Sequence, residues 1–366
     1  DILQNERGIW DSGIVKENNQ FCFIPDSLIA SSTDYYWKVG IYNKDSLSCV
    51  WSEPAHFSTG LLKEDWKGTW ITHPTASKES HVWFRKNFTL RKDISGNIYA
   101  YIASLGYHEL YINGEKADDR VLAPAVSRLD KRVLYVTYDI SKLVRKGDNV
   151  IAINYGPGWS MNNYFSSGPG QGILVQVYGN KKHFSLFSDS TWVCSESYSR
   201  NAGRFDFMDM GGELVDGREY TEQWKDSGFD DSHWRKVSEK LQFNEPVLSS
   251  QMTEPSRIID TIPAKILSEI IVPSEQDSSR EIIYRVDMGK EFTGFLEAAF
   301  EKLDKGDTVE IMISMRDTAP ELVQATYGIG NKVIEEQRQK QIYIARGEAG
   351  ETFRNRFNFF SGRYIH

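Results

Sequence analysis

Cysteine is scarce in this chain: Cys22, Cys49 and Cys194 are the three among 366 residues. Their wide separation excludes a disulfide framework and a cysteine-rich zinc site, both of which need repeated close spacing. A Cys22–Cys49 bridge stays open, because both lie in β-like segments of one small region and pairing needs only suitable Cα geometry. The alternative is a set of buried, inert thiols. No apolar run approaches about 18 residues, so no membrane-spanning helix is expected. The first residues, Asp1 to Gly8, lack the basic and apolar parts of a signal peptide. The seven histidines show no HxxxH or HExxH spacing, and none is assigned to a metal. Charge of one sign is not concentrated anywhere: 51 acids are scattered among 43 bases for a net charge of -8, with no basic stripe. Nucleic acid is therefore not expected as a partner.

What is abundant is aromatic and strand-forming. Ten Trp, 18 Tyr and 19 Phe stand among short apolar alternations and frequent Gly, which favours sheet over helix. The fold class expected is all-β, as tandem β-sandwiches. The length suits two or three domains, each with a sizeable core.

Three units are expected. In residues 1–62, Tyr35, Trp37, Val39 and Ile41 alternate with Tyr36, Lys38, Gly40 and Tyr42, as on one extended strand. With Trp51-Ser-Glu-Pro54 this reads as the second half of a fibronectin type III-like domain, its opening strands lying before Asp1. Residues 63–249 carry spaced strands, an Asn113-Gly114 turn suited to a type I′ hairpin and a second hairpin across Gly179-Asn180. A single helical turn is allowed over Ser141 to Lys146. This spacing predicts a jelly roll. Residues 250–366 read as a further sandwich whose last strand, at Phe360 to His366, is expected to continue into a longer parent protein.

The ordered phrases of the chain resemble those of bacterial α-L-rhamnosidases of glycoside hydrolase family 78. They are Trp66 to Ile71, Phe84-Arg-Lys86, Gly106-Tyr-His-Glu-Leu-Tyr-Ile-Asn-Gly114, Tyr135 to Asp139 and Gly156-Pro-Gly-Trp159. They continue in Gly211-Gly-Glu-Leu-Val-Asp-Gly-Arg218, Phe229-Asp-Asp-Ser-His-Trp234, Asp287-Met-Gly289, Gly294 and Gly362-Arg-Tyr364. The resemblance implies a fibronectin-like domain, a galactose-binding-like jelly roll and a further sandwich, all ahead of an (α/α)6 catalytic barrel. It implies inverting hydrolysis of terminal α-L-rhamnosides, which needs two carboxyl groups roughly 6.5 to 9.5 Å apart. Both acids are expected from the barrel, so no catalytic residue is assigned to this chain. Rhamnose-containing glycans, the parent's own barrel and a periplasmic or secreted location follow from the resemblance alone. The chain departs from the family pattern at Lys290-Glu291 and at Ser314-Met-Arg-Asp317, which leaves room for another glycosidic substrate.

Some jelly rolls of the family hold rhamnose through calcium, with an Asp-Asn pair ahead of the Asn-Gly turn. Here that stretch reads Ser104-Leu-Gly-Tyr-His-Glu109. The oxygen ligands that calcium requires are missing, so no cofactor is expected. Trp159, Asn162, Asn163 and Tyr164 are the candidate sugar contacts, with Phe165 beside them: aromatic faces stack on a pyranose while amides bond to hydroxyls. The competing reading is a loop whose aromatics close the end of the sandwich.

Three further features are expected to be structural. Asp216 and Arg218 share a strand face, which predicts a local ion pair rather than acid–base chemistry near Glu213 and Glu219. Asp118-Asp119 and Asp230-Asp231 are read as solvated turn residues. Gly156-Pro-Gly158 lacks the Lys and helix of a phosphate loop. Two functions fit these readings: a noncatalytic part of a rhamnosidase-like hydrolase, or a freestanding carbohydrate-binding or adhesive protein.

Overall fold

The computed structural model describes residues 8–16, 21–42, 48–92, 96–162, 170–179, 184–206, 209–239, 246–273, 280–315, 317 and 340–366. Among the described residues there is no α-helix, only strands and short 3-10 turns. The chain is all-β and built of tandem sandwiches.

In the front region β1 (Asp34–Trp37) pairs antiparallel with β4 (Ala55–Ser58), and β2 (Gly40–Tyr42) with β3 (Cys49–Trp51). The single strand expected over Tyr35 to Ile41 is therefore two. At Val39 the chain changes partner: its N–H donates to Ser52 Oγ (3.1 Å) and its carbonyl accepts from Ser52 N (2.9 Å). Cys22 and Cys49 are free thiols. Only Cys194 is a buried one, and burial pushes it up to about 12.

The next strands are β5 (Ser80–Leu90), β6 (Ile98–Ser104), β7 (Tyr107–Ile112), β8 (Glu115–Lys116), β9 (Arg132–Asp139) and β10 (Gly147–Gly156). They are followed by β11 (Ile173–Gly179), β12 (Phe184–Phe187), β13 (Val193–Asp206), β14 (Asp209–Asp216), β15 (Arg235–Lys236) and β16 (Val247–Ser250). One sheet orders them β12-β11-β6-β9-β16, and the facing sheet contains β14-β13-β5-β10-β7-β8. Alternation explains the core between them. Val82 and Phe84 of β5, Leu110 and Ile112 of β7, and Ile151, Ile153 and Tyr155 of β10 meet Ala100, Ile102, Val136, Val175 and Val177. The β7–β8 hairpin turns at Asn113 (φ 52°) and Gly114 (φ 90°), as a type I′ loop requires. Ser141 to Lys146 closes as a turn, with Val144 N donating to Ile140 O (3.2 Å).

Both sheets are also covered on their outer faces, which explains why β6, β7 and β11 are buried along their whole length. Leu61 and the half-buried Trp66 and Trp70 lie against Tyr99, Tyr101 and Tyr135 on one side. Asp34 of β1 anchors the front region there, accepting from Tyr99 Oη (2.7 Å) and Asn97 Nδ2 (3.0 Å). On the other side Trp83 stacks on Trp224 (4.8 Å) and Trp234 (6.1 Å).

The last strands are β17 (Lys265–Pro273), β18 (Arg280–Gly294), β19 (Glu297–Phe300), β20 (Thr308–Ser314), β21 (Lys340–Ile344), β22 (Glu351–Arg354) and β23 (Phe360–Ile365). β19 pairs with β22, and their Phe300 and Phe353 pack against Tyr343 of β21. The remaining five extend the sheet of the jelly roll. β21 adds to β14 in parallel, through Leu214↔Ile342, Val215↔Tyr343 and Asp216↔Ile344, so one sheet runs from β17 to β8. The polar chemistry of the chain gathers where this sheet crosses from one sandwich to the next.

Candidate functional site: a buried ionic seam

The seam begins with two glycine-bearing phrases. At Gly212 on β14 a Cβ would overlap the carbonyl oxygen of Lys340, so only glycine lets β21 approach in parallel. At Gly156, where β10 ends, a Cβ would overlap the ring of Phe357. Gly156-Pro-Gly158 is thus a socket for Phe357, which is 1 % exposed and packs edge-on to His81 with 5.1 Å between ring centroids.

Beside the socket Glu213 is fully buried. Its carboxylate accepts the backbone N–H of Arg356 (3.1 Å to Oε1 and 3.0 Å to Oε2), of Asn358 (3.0 Å) and of Phe357. Burial pushes this carboxyl up to about 7, and the amides of Phe357 and Arg356 pull against it. The backbone of Glu213 is itself held, its N–H donating to the buried Gln341 Oε1 at 2.9 Å.

Arg356 is gripped a second time through its side chain. Nη1 lies 3.3 Å from Glu109 Oε2, and Glu109 also takes Lys116 Nζ (2.9 Å) and Tyr111 Oη (2.8 Å). Burial alone would raise Glu109, yet the Arg356 and Lys116 charges outweigh it and hold the group at about 2. Burial likewise opposes charge on Arg356, but Glu109 and its neighbours raise it further. This pair of acids straddling one arginine is an ion-pair network and not an acid–base couple, because every carboxyl is committed to donors within the protein.

A second buried charge secures the outer face. The side chain of Arg85 has no exposed area; Nε donates to Asp231 Oδ2 (2.8 Å), Nη1 to Asp226 O (3.0 Å) and also to Trp224 O. Its guanidinium lies 5.3 Å from the Phe229 ring centroid and 5.9 Å from that of Trp234. Asp231 is thus the counter-ion of a buried arginine and not the solvated turn residue expected. Asp230 does serve the turn, accepting Ser232 N at 3.0 Å. Asp118 pairs with Arg120 at 2.5 Å and Asp119 with Arg257 at 2.8 Å.

Of the candidate sugar contacts, Trp159 and Asn162 fall within the described residues, and both are buried. Trp159 is 1 % exposed and set edge-on to Tyr107 at 6.4 Å, within the core that includes Phe357. Asn162 is also 1 % exposed. Neither offers a free face to a pyranose, because the loop turns them inward to close the sandwich end. Asn163, Tyr164 and Phe165 lie outside the described residues. The expected ion pair forms, with Arg218 Nε 2.8 Å from Asp216 Oδ1 and Nη2 2.6 Å from Oδ2.

The stretch that corresponds to a calcium site does not fit one. Ser104 donates to Gly106 O (2.8 Å), which leaves His108 Nδ1 to donate to Ser104 Oγ (2.8 Å) and Nε2 to accept from Tyr138 Oη (3.1 Å). Leu105 is fully buried and carries no side-chain oxygen, whereas calcium takes about six to eight oxygen ligands. Among the described residues no group of three or more His, Cys, Asp or Glu could hold a metal. No helix among them is long and apolar enough to cross a membrane.

Sequence reasoning passed over Glu213, Glu109 and Arg356 as a set. A signal was present: an acid inside a glycine-rich strand phrase, Gly211-Gly-Glu213, is a poor solvent-facing position when both neighbours are chosen for close approach. Fold and seam together define a tandem β-sandwich array in which a few inward-turned charged groups, Glu109, Glu213 and Arg356, lock one sandwich to the next.

Comparison with known families gives that class a specific membership. Residues 2–63 match the Rha78A-like N-terminal immunoglobulin domain, 95–260 the α-L-rhamnosidase N-terminal domain and 278–366 the bacterial α-L-rhamnosidase concanavalin-like domain. The chain belongs to the bacterial α-L-rhamnosidase family, as its N-terminal β-domains. An α-L-rhamnosidase of Formosa agariphila is 26 % identical over 397 residues, covering 97 % of this chain and 40 % of that protein. Another from the same organism is 30 % identical over 310 residues, covering 78 % of this chain and 31 % of its own length. The chain thus spans about two fifths or less of the curated relatives it matches. The structure of an α-L-rhamnosidase from Dictyoglumus thermophilum superposes with a TM-score of 0.79 at 26 % identity, over 100 % of this chain and 41 % of that one. That of Aspergillus terreus, at 21 % identity and a TM-score of 0.71, shares the fold.

Proposed function

We propose that this chain is the noncatalytic β-scaffold of an α-L-rhamnosidase, and that the whole protein releases terminal α-L-rhamnosyl groups from rhamnose-containing glycans with inversion. The observation that carries the reading is the seam: the phrases that mark the family, Gly156-Pro-Gly158 and Gly211-Gly-Glu213, engage Phe357 and Arg356 to Asn358, and Glu213, the one acid they carry, is committed to backbone amides. The two catalytic carboxyl groups then come from the helical barrel that the family resemblance implies, which is the scaffold's natural partner. Export to the periplasm or beyond suits an enzyme acting on glycans outside the cytoplasm. Neither calcium nor nucleic acid enters this role.

The test is an assay of the 366-residue chain against an aryl α-L-rhamnoside. No turnover is expected. Turnover that disappears when a residue of this chain is substituted would overturn the proposal. The rival, a freestanding carbohydrate-binding protein, draws no support from Trp159 and Asn162, both of which are buried.

A further inference from the structure

Three consecutive backbone N–H groups, of Arg356, Phe357 and Asn358, converge on one carboxylate oxygen, Glu213 Oε1. Successive amides aimed at one point make a concavity with net positive potential, the arrangement by which backbone alone binds small anions. The loop also carries bonds of its own that do not involve Glu213. Asn355, fully buried, donates from Nδ2 to Asn358 O (2.7 Å) and Asn358 Oδ1 (3.0 Å), which closes the loop on itself. Asn355 Oδ1 then accepts Leu296 N at 2.8 Å, tying the loop to its own sandwich.

We propose that residues 356–358 form an anion-binding nest specific for a single carboxylate, and that Glu213 of the preceding sandwich is its built-in ligand. Asn355 braces the nest within its own sandwich, and Gln341 of β21, from that same sandwich, holds the backbone beneath the carboxylate. The seam between the two sandwiches is therefore an intramolecular receptor and ligand, closed by three amide hydrogen bonds to one carboxyl oxygen as well as by the fit of Phe357. A small monocarboxylate is the chemical class that should occupy the nest when the side chain is removed. This inference is independent of the glycan on which any relative acts.

The experiment is hydrogen exchange of the full chain, following the segment from Phe353 to His366, with Glu213→Ala and Glu213→Gln. Above about pH 7, where Glu213 is ionised, exchange at residues 356–358 in Glu213→Ala should quicken by about tenfold or more, since losing one charged hydrogen bond is worth at least that factor. Sodium formate should return the variant toward the protection of the unsubstituted chain, with no such effect from sodium chloride at equal ionic strength. Unchanged exchange in the alanine variant, or quickened exchange that formate does not reverse, would overturn the proposal. Glu213→Gln keeps the side-chain volume and one acceptor oxygen, and decides the matter alone if the alanine variant fails to fold. Exchange between the two extremes is expected, because the amides are left without a charge. Full protection in the glutamine variant would show that the loop does not read an anion.

Discussion

Gly156 and Phe357 stand 201 positions apart in the chain, and the absence of a side chain at the first makes the space that the ring of the second fills. The contact joins the last residue of β10 in the jelly roll to the loop ahead of β23 in the following sandwich. Gly156→Ala forces a methyl into that ring, and overpacking of this kind costs typically about 1–3 kcal/mol. Phe357→Ala alone should cost about 3–5 kcal/mol, as for other fully buried phenylalanines. The two losses should not add, because the second substitution empties the space the first one needs. Urea unfolding of both single variants and the double variant measures the coupling; additive losses would show that the ring and the glycine do not share a site.

Arg85 and Asp216 distinguish a buried charge from a surface one. Asp231→Ala removes the carboxylate from a guanidinium whose side chain has no exposed area, and stranding a buried charge costs about 3 kcal/mol. Asp216→Ala breaks a bidentate pair to Arg218, whose side chain is 44 % exposed, and exposed pairs are worth about 0–1 kcal/mol. The shift in denaturation midpoint should therefore be several times larger for Asp231→Ala.

The fold was largely legible because alternation is a local signal. Val82 and Phe84 facing one core while Trp83 and Arg85 face another follows from period two along a single strand. The Asn113-Gly114 turn and the Asp216–Arg218 pair are local for the same reason. What stayed hidden depends on partners distant in sequence. Glu213 pairs with amides 143 to 145 positions away and Asp231 with an arginine 146 positions away. No spacing rule reaches that far. Trp159 was ambiguous for the same reason: an aromatic beside glycine and asparagine suits a sugar platform as well as a loop that closes the sandwich, and only the packing of Tyr107 and Phe357 shows that the indole is covered.

Acid should unfold the chain in a way set by opposed groups. Burial holds His81 at about 4 and His108 at about 3, both below the ordinary 6.5. Between those limits the unfolded chain binds more protons, so stability falls as pH drops from 6.5 toward 4. Glu109, held at about 2, adds a loss below its ordinary 4.5. Glu213 acts in reverse. Its folded value is raised to about 7, so its contribution is fully present below 4.5 and is lost as pH climbs to 7. Over pH 4.5–6.5 the terms partly cancel. Urea midpoints measured at several pH values should therefore vary little there and fall steeply below 4.5. Glu213→Gln should steepen the dependence between 4.5 and 6.5, whereas His81→Gln should flatten or invert it. A glutamine at 213 that leaves the profile unchanged would show that this carboxyl does not titrate in that window.

Calcium-dependent rhamnose binding by the jelly roll tests how far a family property travels with the fold. The Ser104 hydroxyl is engaged by Gly106 and His108, and burial, reinforced by the Arg120 charge, keeps His108 neutral. Recruiting these groups to a cation would break the hydrogen bonds that seat His108 against Tyr138 and would bring a divalent charge beside Arg120, whose guanidinium lies 4.7 Å from the Tyr138 ring centroid. Titration calorimetry with L-rhamnose should accordingly give no calcium-dependent heat, and millimolar calcium should leave the thermal midpoint unchanged. Introducing oxygen ligands by Leu105→Asp and Gly106→Asn should not create the site. Gly106 has a φ of 149° and a Cβ there would stand 2.7 Å from Gly156 O, so the second substitution disturbs the same β10 end that receives Phe357. Loss of stability without gain of binding is the expected result, and calcium-dependent rhamnose binding by the unsubstituted chain would refute it.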